Sequence, residues 1–448
     1  MRVTFINKSD SLGGAAVVTL RLVEALRRRN VDARLLVTHK GTDKEYVSLA
    51  ASSNAIRSAF LRDRLPLLLR NGFSRRTLFQ IDAARAGLPL WKHPWVTEAD
   101  ALCLGWINQG VLSLEGIKKL AALNKPILWT MHDMWNMTGI CHHAHDCKGF
   151  TRSCGNCPLL GKMASAHDLS HTVWRRKLML YRQEKIQFVA VSSWLARKSA
   201  ESSLLGATDG VNKPVVIPNA YPLTPEAVAT TEDKEPRLLM VAARLDDPIK
   251  GLPLLVKATR KLAEKHKAVA EKLHLDLVGE LRDKEAVKEL AIPYTLHGTI
   301  SERRALRELY RRASVVVSPS LFETLPGTLI EGMESGAVPV AFDRGGQSDI
   351  IDHLITGYLT PWSGDADTDG NAFADGILWA LEAAQSSDTL QRMHTAVAER
   401  FSADAVAQRY LELIQNQGSP GTHSSHSAHS AHSTHSTPST PITPDSPF

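Results

Sequence analysis

No run of apolar residues in this chain approaches the roughly 18 needed to cross a bilayer, which excludes an ordinary transmembrane helix. The opening MRVTFINKSD lacks the charged start and apolar stretch of a secretory signal and reads as a first strand with its loop. A cytoplasmic protein is therefore expected, and stable disulfides are not. The Gly-rich fingerprint G-x-G-x-x-G and the P-loop lysine are both missing, which argues against dinucleotide and P-loop nucleotide binding. Only five cysteines occur in 448 residues, and four of them fall between 141 and 157. What is present is soluble-protein composition, 43% hydrophobic and 22% charged, with a net charge of +6 that suits an anionic partner.

Short β-type runs alternate with helical ones, the pattern of α/β folds with parallel sheets. RVTFIN, ARLLVT, ALCLGW, PILWTM and FVAVS form one series, and RLLMVAARL, LHLDLVG, YTLHGT, SVVVSP and VPVAFD a second. A Pro- and Thr-rich stretch between them reads as a linker. The expected organisation is a first Rossmann-like domain over 1–218, a linker over 219–236, and a second Rossmann-like domain over 237–400. A helix over 401–417 then packs back across the hinge. Beyond 418 the His/Ser/Thr/Pro composition, with His at every third position from His423 to His435, cannot bury a core and predicts a disordered tail.

In such sheets ligands bind beyond the carboxyl ends of the strands. There, VAARLDDPIKGL puts Arg244 at a strand end and Lys250 before a helix. Two cations so placed can neutralise a diphosphate. SVVVSPSLFETLPGTLIEGMESG reads as strand, loop and helix, with Pro326 in the first helical turn. Gly327, Thr328 and Leu329 would then offer free amides to an anion. Glu323 and Glu331 either bind sugar and ribose hydroxyls or merely cap and solvate that helix. Gly13 and Gly14 follow the first strand, where a backbone that approaches a ligand closely needs glycine. His132 follows PILWTM at a strand end, and the neighbouring Asp133 reads as a turn residue or as an orienter of the imidazole.

The spacing R-x5-K-G, then F-E-T-L-P-G-T-L-I-E-G-M-E-S-G and D-R-G-G, resembles the retaining, nucleotide-sugar-dependent glycosyltransferases of the GT-B fold. The likeness is greatest to the large bacterial group that builds capsule, exopolysaccharide and O-antigen. SLGG, TMHD, VAVSSWL and VIPNAYP extend it over residues 1 to about 417. The resemblance implies an α/β, GT-B architecture in which two doubly wound domains face a central cleft, and transfer of a sugar from a nucleotide diphosphate sugar to a glycan or lipid-linked acceptor. It implies that Arg244 and Lys250 hold the diphosphate, Glu323 the sugar and Glu331 the ribose. His132 would serve the reacting centre, and the base would lie against His297 and Gly298. VGELRD departs from the family's usual Gly-x-Gly at Gly279 and leaves the base surface open. No catalytic metal and no nucleic acid are implied. A sugar-nucleotide epimerase or phosphorylase on the same plan is the enzymatic rival; a zinc-bearing nucleic-acid binder is the remote one.

Two segments stand outside that scheme. Cys141, Cys147, Cys154 and Cys157, spaced x5, x6 and x2 in the loop 133–160, suit a structural zinc, unligated thiols, or a disulfide or redox pair. RSAFLRDRLPLLLRNGFSRRTLF, 57–79, interleaves Arg with Leu and Phe. It reads as a solvated helical face or as a peripheral contact with an anionic membrane, at the inner face of the plasma membrane.

Overall fold

The computed structural model describes residues 1–206, 208–223 and 234–418. Two all-parallel sheets organise it. The first contains β1 (Arg2–Ser9), β2 (Asp32–His39), β3 (Val47–Leu49), β4 (Ala101–Leu104), β5 (Ile127–Met131), β6 (Ile186–Ala190) and β7 (Val215–Val216). Its order is β3-β2-β1-β4-β5-β6-β7. The second contains β8 (Glu235–Arg244), β9 (His274–Glu280), β10 (Tyr294–Gly298), β11 (Ala313–Ser318), β12 (Val338–Phe342) and β13 (Tyr358–Thr360), in the order β10-β9-β8-β11-β12-β13. Strands β4, β5, β6, β11 and β12 are buried at every residue. That is why they read as unbroken apolar runs rather than alternating ones.

Each sheet reverses its strand order once, beside its first strand: between β1 and β4, and between β8 and β11. A doubly wound sheet opens a crevice at such a switch point. Helix α1 (Gly14–Arg28) leaves β1 there and buries Val18, Leu22, Val23 and Leu26 on one stripe. Helix α2 (Ser53–Arg70) begins where the Ser52 side chain accepts from the Ala55 N–H. Helices α3 (Leu169–Gln183) and α4 (Ser193–Glu201) are capped likewise by Asp168 and Ser192. Helix α5 (Gly327–Glu334) follows β11 in the second sheet.

Helix α6 (Ala403–Gly418) crosses back to the first sheet. Val406, Ala407, Tyr410 and Ile414 join the core built from Val3, Phe5, Leu26 and Leu35. The Tyr410 and Thr130 hydroxyls lie 2.8 Å apart inside it. Strand β8 starts at Glu235, inside the stretch expected as linker; of that stretch, 224–233 lies outside the described residues, as does the expected tail from 419 onward. Strands β3, β7 and β13 were not expected; each has three residues or fewer.

Because α6 fastens the chain's end to the first sheet through Tyr410, Tyr410→Ala should destabilise the protein by about 3–5 kcal/mol. Tyr410→Phe, which loses only the hydroxyl pair, should cost about 1 kcal/mol. Urea unfolding of both variants measures the two values, and equal losses would show that the apolar contact is not what holds the helix.

Candidate active site

A cavity of about 550 Å³ lies between the carboxyl ends of the two sheets. From the first sheet it is lined by Gly14 and Arg21 of α1, by Trp106 after β4, and by His132 and Asp133 after β5. From the second come Lys250 after β8, Glu323 to Pro326 after β11, and Gly327, Thr328 and Glu331 of α5. Residues more than 300 positions apart thus share one lumen, because both switch points open into it.

Lys250 and Glu323 form an ion pair at 2.6 Å, so the carboxylate expected to repel an anion is neutralised by the cation expected to attract one. Glu331 accepts from the Arg21 guanidinium at 2.8 Å, across the cleft. The Arg21 guanidinium also stacks on the Tyr221 ring, 4.9 Å from its centroid. A Cβ at Gly327 would fall 2.4 Å from the Tyr221 hydroxyl, so only glycine lets the helix start approach. Gly13 caps α1 with φ +89°, a left-handed backbone that glycine adopts without strain.

Helix α5 begins one residue later than expected: Pro326 is its cap and Gly327 its first residue. The Leu329 N–H is spent on the Pro326 carbonyl at 3.2 Å, and Leu329 is fully buried. The anion-facing set at this helix therefore narrows to Gly327 and Thr328, and Leu329 is corrected to a core residue.

Burial lowers the His132 imidazole to about 4, an effect the Asp133 charge only partly offsets. His132 is thus neutral at pH 7. Its Nε2 is buried without a hydrogen-bond partner, while its carbonyl accepts from the Thr324 hydroxyl at 3.1 Å. Burial raises the Asp133 carboxyl, but the His142 charge and hydrogen bond, the His143 charge and the Trp135 N–H outweigh it and hold it well below the ordinary range. Asp133 makes a turn by accepting from the Trp135 N–H at 2.8 Å. It also orients an imidazole, that of His142 at 2.8 Å rather than of His132. Trp106 donates to the same carboxylate at 2.8 Å.

Besides Leu329, four expected donor residues do not line this cavity: Gly13, which caps α1 beside it, and Arg244, His297 and Gly298. Arg244 turns to Asp246 at 3.5 Å and Asp247 at 3.4 Å, the nearest carboxylates on its own loop. His297 pairs with Asp276 at 2.7 Å on the neighbouring strand, and Gly298 beside it ends the exposed strand β10. Conversely, Arg21, Trp106 and Tyr221 reach the lumen without having been singled out, and His143, considered only as a possible zinc ligand in place of a cysteine, reaches it too. Arg21 looked like any charged position on an amphipathic helix, and only VIPNAYP gave a hint of Tyr221.

The four clustered cysteines are free thiols. Burial pushes Cys141 up to about 12 and Cys154 up to about 11, so both are protonated. The Gly139 and Gly149 amides donate to the Cys154 and Cys147 sulfurs at 3.2 and 3.4 Å. Among the described residues no three His, Cys, Asp or Glu side chains converge as a metal-ion site, so the residues do not fit the structural zinc considered above. The loop is anchored instead by Lys177, whose ammonium donates to the Trp135 and Thr138 carbonyls at 2.5 and 3.1 Å. Burial lowers that lysine to about 7, while the nearby thiols and acids pull upward.

A second cavity, of about 890 Å³, lies beside the first. Lys148, Arg197 and Trp194 line it from the first domain, and Phe322, Arg344 and Trp362 from the second. Phe322 packs edge-on against His143 at 4.7 Å and Trp194 at 5.2 Å, which joins the two walls.

Comparison with known proteins agrees with this fold. The family described as glycosyl transferases group 1 matches residues 235–383. A putative colanic acid biosynthesis glycosyl transferase, WcaC, of Escherichia coli K12 is 26% identical over 364 residues, covering 76% of this chain and 82% of the relative. The D-inositol 3-phosphate glycosyltransferase of Kribbella flavida is 26% identical over 212 residues, covering 45% of this chain and 48% of the relative. Among solved structures, Anabaena HepE in complex with UDP superposes with a TM-score of 0.58 at 15% identity, over 93% of this chain and 100% of that one. The lipopolysaccharide outer core galactosyltransferase WaaB gives 0.55 at 15% identity, with the same coverage of both chains. Two parallel doubly wound sheets meeting at a shared cleft give the chain the GT-B fold, and its residues 235–383 carry a glycosyl transferases group 1 domain.

Proposed function

We propose that this glycosyltransferase moves a sugar from a nucleotide diphosphate sugar to a glycan or lipid-linked acceptor, with retention of configuration, in the biosynthesis of a bacterial surface polysaccharide. The observation that carries the reading is the single lumen holding His132, Lys250, Glu323, Glu331 and the start of α5. The complexes of HepE with UDP and with UDP-glucose support the donor class. The biosynthetic setting rests on the colanic acid and lipopolysaccharide relatives.

Departure of a nucleoside diphosphate places negative charge on its terminal phosphate. Lys250 and the amides of Gly327 and Thr328 would stabilise that charge, and groups aimed at developing charge can contribute several kcal/mol. Arg244 would join them by exchanging Asp246 and Asp247 for the diphosphate. Lys250 would pass from Glu323 to phosphate, freeing that carboxylate to accept from sugar hydroxyls. Glu331 would accept from the ribose diol beside Arg21.

Of the three lumen acids, Glu323 and Glu331 are each held by a cation and Asp133 is held by His142 and the Trp106 and Trp135 N–H groups, which favours same-face attack over a carboxylate nucleophile. The C1–phosphate bond breaks as the acceptor oxygen bonds C1 on the same face, and the acceptor proton passes to the departing phosphate oxygen. A neutral His132 suits this centre, since an imidazolium would oppose the partly positive anomeric carbon. The acceptor would enter through the larger cavity, with Trp194 and Trp362 beside its rings. Donor binding would complete the cleft and exclude water.

Thermal denaturation against a panel of nucleotide sugars tests the donor assignment: the right ligand at 100 times its Kd should stabilise the fold by about 2.7 kcal/mol. No shift with any member would remove the donor reading. Glu323→Gln should lower kcat/KM by about a hundredfold or more without changing the melting temperature, and near-full turnover would take Glu323 out of the site. NMR of the product anomer should show the donor's configuration; inversion would exclude same-face attack.

The His132 shift also fixes a pH dependence. Its folded value, about 4, lies below the ordinary 6.5, so between these the unfolded chain binds more protons. Stability should therefore fall as pH drops from 6.5 towards 4, and His132→Gln should flatten part of that slope in urea titrations. An imidazole titrating near 6.5 in the folded protein would contradict the neutral role.

A further inference from the structure

Helix α2 is inside out for a surface helix. Its charged pair faces the core: Asp63 and Arg64 are buried, and Arg64 bonds Asp63 at 2.9 Å, the Leu78 and Ile81 carbonyls at 3.0 and 3.1 Å, and Asp82. Its leucines face out. Leu61, Leu65 and Leu69 recur every fourth residue, which aligns them along one face. They are 43%, 55% and 58% exposed. Phe73, in the turn that ends the helix, continues the stripe at 66%, and Phe79 follows at 55%.

Phe73 has φ +62°, a left-handed backbone that a bulky residue adopts only under strain. Its N–H donates to the Leu68 carbonyl at 2.9 Å, which fixes the turn and holds the ring outward. Arg57, Arg62, Arg70, Arg75 and Arg76 are exposed along the same segment. From 52 to 80 the only acidic residue is the buried Asp63.

We infer that the face formed by Leu61, Leu65, Leu69, Phe73 and Phe79 docks this protein on an anionic lipid surface. Apolar side chains that enter the headgroup boundary, flanked by cations that meet lipid phosphates, are the two components interfacial binding requires. Charge complementarity selects this occupant. A second copy seated on the face would bring five guanidiniums against five with no exposed acid between them, a like-charge contact.

The position of the face gives the docking a consequence. Lys8, near the end of β1, lies 5.2 Å from the Phe60 ring of α2. The chain after the stripe pairs with the loop that leaves the cleft: Asp82 N–H donates to the Ile140 carbonyl at 2.7 Å, and His142 N–H to the Gln80 carbonyl at 3.0 Å. The lipid-facing stripe and the cleft thus share the carboxyl edge of the first sheet. Docking holds the cleft beside the surface that would present a lipid-borne acceptor. The inference goes beyond the donor chemistry and does not depend on it, since lipid binding and nucleotide-sugar binding are measured separately.

Co-sedimentation of the full chain with mixed phosphatidylcholine–phosphatidylglycerol vesicles tests it, with phosphatidylcholine vesicles in parallel. The expected result is binding to the mixed vesicles that weakens as salt rises, with little binding to phosphatidylcholine alone. The double substitution Leu65→Glu, Leu69→Glu, at exposed positions, should keep the melting temperature and reduce vesicle affinity by about tenfold or more. Arg62→Gln with Arg70→Gln and Arg75→Gln should lower both affinity and its salt sensitivity. No binding of the wild type, equal binding to both vesicles, or undiminished binding of the leucine variant would each overturn the inference. A dimer dispersed by the leucine variant, without vesicle binding, would assign the face to a second copy and overturn it as well.

Discussion

The Lys250–Glu323 pair, 2.6 Å across the mouth of the second sheet, is the contact on which the cleft's chemistry turns. Without it, a carboxylate beside a helix start would repel the anion that the helix amides attract. With it, that carboxylate is matched by an ammonium that can exchange partners. In the proposed reaction an arriving diphosphate would take the ammonium, and the released carboxylate would meet the sugar hydroxyls carried by the same donor. One ion pair would then link recognition of the phosphate to recognition of the sugar.

The same logic runs across the domain boundary. Arg21 holds Glu331, and Thr324 reaches the carbonyl of His132. Asp349 of the second domain accepts from the backbone N–H groups of Ser193 and Trp194 at 2.6 and 3.2 Å, which caps the start of α4 in the first. A carboxylate at a helix start is favoured by the unpaired amides and the helix dipole. Phe322 adds apolar contact with His143 and Trp194 beside it. Apart from the Arg21–Glu331 pair, which joins α1 and α5, these contacts come from the segments that follow β5, β6, β11 and β12, so the two domains meet at their strand ends. The return of α6 to the first sheet keeps the two halves tied on the far side.

Much of this was legible in the sequence because a doubly wound sheet puts function at predictable places. The strand runs located the carboxyl ends, and His132, Lys250, Glu323, Gly327 and Glu331 sit there in one lumen. What was not legible depends on partners far away or on short elements. Strands β3, β7 and β13 are too short to show a period. Arg244 carries the motif, yet its guanidinium takes the nearer Asp246 and Asp247. His297 follows a strand as a base-binding residue would, but Asp276 on the adjacent strand claims it. Arg21 meets Glu331 across 310 positions, a pairing with no local signature. The cysteine spacing was readable; whether four sulfurs converge was not, since that depends on how the loop packs over Lys177.

The central claim is that this cleft grips a diphosphate, and calorimetric titration tests it most directly. The nucleoside diphosphate of the donor should be compared with its bare nucleoside, on the wild type and on Lys250→Met. The account predicts that the diphosphate binds at least about tenfold more tightly than the nucleoside, and that Lys250→Met removes most of that margin. Equal affinities for the two ligands, or a margin unchanged by the substitution, would contradict it.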